Sequence, residues 1–201
     1  MRANDRKPAT KQSSYWMIFA VLAAVALLVT LTKPFDRLRA AATEHEAVGT
    51  QLLKLEVEPL TGASRSLSLE DLSGRVTLVN LWGPWCQYCL LEFPHLVDLD
   101  KKYGRRDDFQ LLAVSYAAQG NDLDALRADT QAYLKRIGAD LPTYADPTHT
   151  THMAVAMTTG VQGFPTTVLL DKQGTIRAVW EGYRRGSEAE MDRLIAALLA
   201  E

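Results

Sequence analysis

With 201 residues, 23% of them charged and 47% hydrophobic, and a net charge of −2, the chain has the makeup of an ordinary globular protein. The near-neutral balance offers nothing to a polyanionic partner such as nucleic acid, and there is neither an internal repeat nor a low-complexity tract. Once the N-terminal segment is set aside, about 150 residues remain, enough for one domain with a sizeable core.

Residues 1–14 are polar, carry Arg2, Arg6, Lys7 and Lys11 against Asp5, and read as a short tail. From Tyr15 to Leu31 no residue is charged, and Tyr15 and Trp16 stand at one end of the run with Phe35 beyond the other. Residues 15–32 are expected to form one transmembrane anchor, since the run reaches the lower limit for a spanning helix and is long for a signal-peptide core. A cleavable signal would use Ala40-Ala41-Ala42, but Lys33, Asp36, Arg37 and Arg39 push that site too far from the apolar run. Residues 33–50, Ala/Glu-rich toward their end, read as a stalk, which leaves 51–201 as the folded domain.

Leu52 to Val57 alternates as a strand should, and Pro59 to Gly62 reads as a turn. Ser68 with Asp71 three residues later predicts one capped helical turn before Gly74. Val76 to Trp82 is apolar except for Asn80, as suits a central strand buried on both faces. A Gly-Pro break follows, and then Cys86-Gln87-Tyr88-Cys89 opens a helical pattern with Leu90, Phe93, Leu96, Val97, Leu99 and Tyr103 on its buried stripe and Pro94 as a kink. Asp108 to Tyr116 predicts a strand, and Asn121 the cap of a helix that runs to Ile137 and stops at Gly138. Thr143 to Ala145 is a short strand and Thr150 to Met157 a short helix, with His149 and His152 as surface residues at its start. Thr166 to Leu170 and Thr175 to Glu181 form a hairpin, and a capping box of Ser187 and Glu190 begins the last helix.

The chemistry concentrates where strand meets helix. A thiolate rather than a thiol is the nucleophile, and the unpaired N–H groups of a helix start stabilise negative charge on Cys86, the expected attacking thiol. Cys89, one turn along, is placed to close an intramolecular disulfide and release a mixed-disulfide partner. Two other readings stay open: a zinc site shared with His149 and His152, or an inert disulfide, which would close too small a loop to stabilise much. Glu92 lies three residues beyond Cys89, where spacing alone allows either a proton-transfer group or a solvated carboxylate near a helix start. Gln87-Tyr88 carries no charge that would make the pair more oxidising.

The block LVNLWGPWCQYC, with Glu92 and Pro94 following, and the later block GVQGFPTTVLLDKQG at Gly160 to Gly174 together resemble the membrane-anchored TlpA/ResA-like thiol–disulfide oxidoreductases of the thioredoxin superfamily. The likeness runs from about Leu52 to the C-terminus. It implies an α/β, thioredoxin-like fold, a central mixed sheet flanked by helices, with an N-terminal β-hairpin extension. It further implies that Pro165 is the family's cis-proline beside the dithiol, where Phe164 would offer its backbone to an extended substrate. Thioredoxin itself commonly has an acidic residue where this chain has Asn80, and an amide cannot exchange protons, so the resemblance moves that role to Glu92, a position at which the family has a glutamate. Trp82 and Trp85, which flank the dithiol, are expected to be part core and part substrate platform.

The expected function is reduction of disulfides in extracytoplasmic partner proteins, for example in cytochrome c or copper-site maturation, with the domain on the periplasmic side. Electrons would come from a donor thiol protein, because no motif for a nicotinamide or flavin cofactor and no metal site is expected. The rivals are an oxidant using the same dithiol, a thiol peroxidase, and a non-catalytic metal-binding or tethering module.

Overall fold

The structure, a computed structural model, describes residues 42–201 and, from the N-terminal segment, residues 18 and 20–23, which are helical. The rest of the expected anchor lies outside the described residues, and among the described ones no helix is long and apolar enough to cross a membrane. The compact unit begins at Ala42. Residues 42–50, assigned by composition to the stalk, are packed against it: Ala42 and Ala47 are buried, and Gly49 and Thr50 exchange backbone hydrogen bonds with Ile176.

Seven strands make one sheet: β1 (Glu56–Thr61), β2 (Leu67–Ser68), β3 (Val76–Trp82), β4 (Phe109–Ser115), β5 (Thr143–Ala145), β6 (Thr166–Leu170) and β7 (Ile176–Glu181). Their spatial order is β2-β1-β5-β4-β3-β6-β7. β3, β4 and β5 are parallel and the remaining pairings antiparallel, so the sheet is mixed, as expected. The parallel links run through helices α1 (Gln87–Tyr103) and α2 (Leu123–Ile137); α3 (Thr150–Thr159) precedes β6, and α4 (Ser187–Leu199) ends the chain.

Alternation along the strands divides the core. Leu78 and Trp82 of β3 and Leu169 of β6 join Phe93 and Leu96 of α1 and Met191 and Ile195 of α4. Val79 and Leu81, with Val168 and Leu170, join Val155 of α3 on the other face. β3 is buried along its whole length, which is why it reads as a continuous apolar run. Period-two parity puts Asn80 on the Leu78/Trp82 face and Thr167 on the Leu169 face, both toward α1, and antiparallel register sets the two residues directly opposite each other.

Several boundaries differ from the sequence reading. β1 starts at Glu56 and runs through Pro59, where the sequence predicts a turn. Beyond Val57 it pairs only with β5, an edge position that tolerates the missing N–H, and its register shifts between Pro59 and Thr61. Asp122, not Asn121, caps α2, its carboxylate accepting from the N–H groups of Asp124 and Ala125. At α4 the expected Ser187/Glu190 box does not form: Glu190 accepts from the buried Trp180 indole at 3.0 Å, Ser187 donates to the Arg184 carbonyl, and the Gly186 N–H is met by Glu188. The Ser68/Asp71 cap does form, with the Asp71 carboxylate accepting from the Ser68 N–H at 2.7 Å. α1 is assigned without a break through Pro94.

Candidate functional site

The site sits where β3 ends and α1 begins. Gly83 lets the chain turn tightly, since a Cβ there would stand 2.9 Å from the Tyr116 carbonyl and closer still to the Trp85 indole. Cys86 is the N-cap of α1, and its Sγ accepts from the Cys89 N–H at 3.2 Å. The two cysteines are joined as a disulfide with a Cα–Cα distance of 5.2 Å. Cys86 is 7% exposed and Cys89 1%, so what little access solvent has to the pair is through Cys86. The pairing occupies both thiols, and among the described residues no group of three His, Cys, Asp or Glu side chains converges as a metal site.

Glu92 points inward from α1 and is 2% exposed. The Asn80 Nδ2 donates to Oε2 at 2.9 Å and also to the Thr167 hydroxyl at 2.8 Å. The Thr167 hydroxyl in turn reaches both carboxyl oxygens at 3.4 and 3.5 Å. Burial pushes the Glu92 carboxyl up to about 7, against the opposing pull of the Asn80 and Thr167 hydrogen bonds. A solvated surface carboxylate is thereby ruled out, and the group changes protonation near neutral pH.

The residues expected to meet substrate are grouped. Trp85, 47% exposed, lies edge-on to Phe164 with ring centroids 5.7 Å apart. The Phe164–Pro165 peptide is cis. The Leu81–Thr166 register pair sets Pro165 one step further on, beside the end of β3. Trp82 does not share this platform. It is fully buried, with its ring 4.0 Å from Phe93 and 5.5 Å from Tyr133, because strand parity turns it under α1.

Three further residues belong to this cluster: the sequence singles out neither Tyr116 nor Thr167, and it offers His152 only as a surface residue or a zinc partner. Tyr116, the residue after β4, accepts the Trp85 indole N–H on its carbonyl at 2.9 Å and packs on Phe164 at 5.1 Å. Its hydroxyl donates to the buried Asp146, and that same carboxylate oxygen accepts the His152 N–H. Burial, then the Asp146 charge, holds the Tyr116 phenol well above its usual range. His152 is half-buried rather than free on the surface: it stacks on Phe164 at 5.2 Å and bonds the Gln162 carbonyl. Thr167 is the third, and its signal was present, a polar residue at inward parity in an otherwise apolar strand. The signal at Tyr116 and His152 was not, because their contacts cross between segments with no common periodicity.

The AhpC/TSA family model matches residues 38–179. Over 179 residues the chain is 29% identical to a thiol-disulfide oxidoreductase ResA of Halalkalibacterium halodurans, covering 86% of this chain and 89% of that one. It is 28% identical over 130 residues to a thiol:disulfide interchange protein DsbE of Pseudomonas aeruginosa, covering 65% of this chain and 64% of that one. A crystal structure of a thiol:disulfide interchange protein of the thioredoxin family from Chlorobium tepidum superposes with a TM-score of 0.60 at 23% identity, over 75% of this chain and 97% of that one, a likeness of fold.

Proposed function

The chain belongs to the AhpC/TSA family, and on that premise we propose that this protein-disulfide oxidoreductase works as a membrane-anchored reductase of extracytoplasmic partner proteins. The observation that carries the reading is the Cys86–Cys89 disulfide at the start of α1, with a buried carboxyl one helical turn beyond Cys89 that burial pushes up to about 7. In the reduced enzyme the Cys86 thiolate attacks a partner disulfide; a mixed disulfide forms and one partner thiolate leaves. The Cys89 thiol gives its proton to the Glu92 carboxylate and attacks the Cys86 Sγ. The partner's second thiolate is expelled, two electrons have passed to the partner, and Glu92 returns the proton to solvent or to that thiolate. The amide at Asn80 cannot carry the proton, and Glu92, one turn from Cys89, can.

Trp85, Phe164 and Pro165 form the platform for an extended partner segment, and the uncharged Gln87-Tyr88 pair favours a reducing poise. Residues 15–32 anchor the chain, residues 1–14 stay cytoplasmic, and a donor thiol protein re-reduces the pair; cytochrome c or copper-site maturation would supply such substrates. What supports the anchor is the charge-free run from Tyr15 to Leu31.

The test is the reduction potential of the Cys86–Cys89 pair in the full chain, equilibrated in dithiothreitol and glutathione buffers. A value near or below about −270 mV, that of thioredoxin, supports a reductant. One near about −120 mV, as in a strongly oxidising dithiol protein, reverses the direction. Absence of a reversible couple, or rapid turnover of hydroperoxide by the dithiol, overturns the reading.

A further inference from the structure

We propose that Asn80 and Thr167 are positioning residues for Glu92: donors supplied by two adjacent strands, they hold its carboxyl group in one orientation, one turn of α1 beyond Cys89, and offer it hydrogen bonds that its charged form uses best. The inference rests on Glu92 as the proton carrier. It begins from geometry, because Asn80 and Thr167 are directly opposed in the β3–β6 ladder and share the face turned to α1. All three side chains are almost wholly inaccessible.

The bonding has a direction. One Asn80 Nδ2 serves both Glu92 and Thr167, and by accepting from Asn80 the Thr167 hydroxyl frees its own proton for Glu92. Glu92 therefore meets donors on both sides. Asn80 Oδ1, in contrast, is buried without a partner. An unsatisfied buried oxygen is destabilising, and a leucine of similar shape would suit a strand buried on both faces. An amide at this position is explained by what its nitrogen does for Glu92 rather than by packing.

The electrostatic surroundings leave these two groups in control. Charge-assisted hydrogen bonds favour a carboxylate, and burial opposes it. The titratable neighbours on the same helix are Cys89, held in the disulfide, and His95, which is bonded to the Tyr183 hydroxyl at 3.2 Å. Across the sheet face, Glu190 of α4 is engaged by the Trp180 indole. Without Asn80 and Thr167, burial alone would favour the protonated form of Glu92 further and leave less carboxylate to take a proton from Cys89.

The experiment follows the Glu92 carboxyl resonance in the full chain labelled with carboxyl-13C glutamate, the resonance being identified by its loss in Glu92→Gln. The wild-type midpoint is expected at about 7. Asn80→Leu should raise it by about one unit, the loss of one charge-assisted bond. Thr167→Val should raise it less, and Thr167→Ser, which keeps the hydroxyl, should leave it at the wild-type value. Near-UV circular dichroism confirms the folded state of each variant, and the isosteric Thr167→Val keeps the test open if Asn80→Leu does not fold. A midpoint unmoved in a folded Thr167→Val or Asn80→Leu protein, or a shift that Thr167→Ser shares with Thr167→Val, overturns the proposal. The pH profile of thiol–disulfide exchange is recorded alongside. If the carboxyl midpoint moves while the profile stays, positioning by Asn80 and Thr167 stands and Glu92 as the proton carrier falls.

Discussion

Glu92 is the residue whose burial has the largest consequence. Its carboxyl titrates at about 7 in the fold and at the ordinary 4.5 when exposed, so the folded state binds the proton more tightly. The stability this contributes is fully present below about pH 4.5 and is lost as pH rises through about 7, a span worth about 3 kcal/mol. Asp71 works in the opposite sense: the Ser68 N–H and then Arg65 hold its carboxyl at about 2, so its contribution is present above the ordinary 3.8 and fades as pH falls toward 2. Replacing Glu92 with glutamine removes the first effect. Urea unfolding of oxidised Glu92→Gln should show a gain over wild type at pH 8 that shrinks toward pH 5, and an equal gain at both would refute the burial argument. For the thiols, Cys89→Ser should accumulate a mixed disulfide through Cys86 with a partner protein, visible as a reducible adduct on gels. Accumulation through Cys89 in a Cys86→Ser protein instead would exchange their roles.

At the scale of elements, α3 joins the N-terminal hairpin to the site. The Thr151 hydroxyl accepts from the Glu56 N–H at 2.9 Å and donates to the Glu56 carbonyl at 2.8 Å, clasping β1 where it pairs with β2. One turn of the same helix carries His152, stacked on Phe164. Thr151→Val keeps the shape and deletes both bonds, at a cost of about 1–3 kcal/mol because a backbone N–H is left unpaired. Amide exchange at Glu56 and Val57 should quicken by about tenfold or more in the variant, a local opening rather than global unfolding. Unchanged exchange there would mean that the hairpin is held by its apolar contacts alone. The hairpin expected from the resemblance is present, but its first strand lies further along the chain than the alternation suggested. Leu53, Leu55 and Val57 fall at the period of a strand, but Leu53 is exposed, and Leu52 and Leu55 are buried three residues apart ahead of β1.

For the whole molecule, the question is where the folded unit is held. The unit from Ala42 onward has its own core, and the charge-free run precedes it. The anchor proposal predicts that the full chain stays with the membrane pellet through alkaline carbonate extraction and that a version lacking residues 1–41 is released. A C-terminal alkaline phosphatase fusion should be active, since that enzyme needs an oxidising compartment for its disulfides. Quantitative extraction of the full chain, or a silent fusion that is nonetheless stably made, would refute anchoring and orientation respectively.

The sequence by itself determined the cysteine pair and most of the elements from β3 onward, though not where β1 begins. A long apolar run, a Gly-Pro break and two cysteines one turn apart are local features, and local sterics and helix-end electrostatics act on them wherever the chain goes. The mixed sheet and the cis-proline were legible too, through resemblance rather than through periodicity. Only the tertiary structure decided which polar residues meet the Glu92 carboxyl. Asn80, Glu92 and Thr167 come from three elements, and their meeting depends on the β3–β6 register together with the rotation of α1 over the sheet. Trp82 and Trp85 show the same division: three residues apart and chemically identical, one is core and the other is surface, because strand parity governs the first and a turn beyond the strand governs the second. Tyr116, Asp146 and His152 belong to the same class, joined by contacts that no spacing in the chain announces. Burial raises the pKa of a carboxyl only once the surrounding chain has displaced water, so the acidity of Glu92 is a property of the fold and not of the residue.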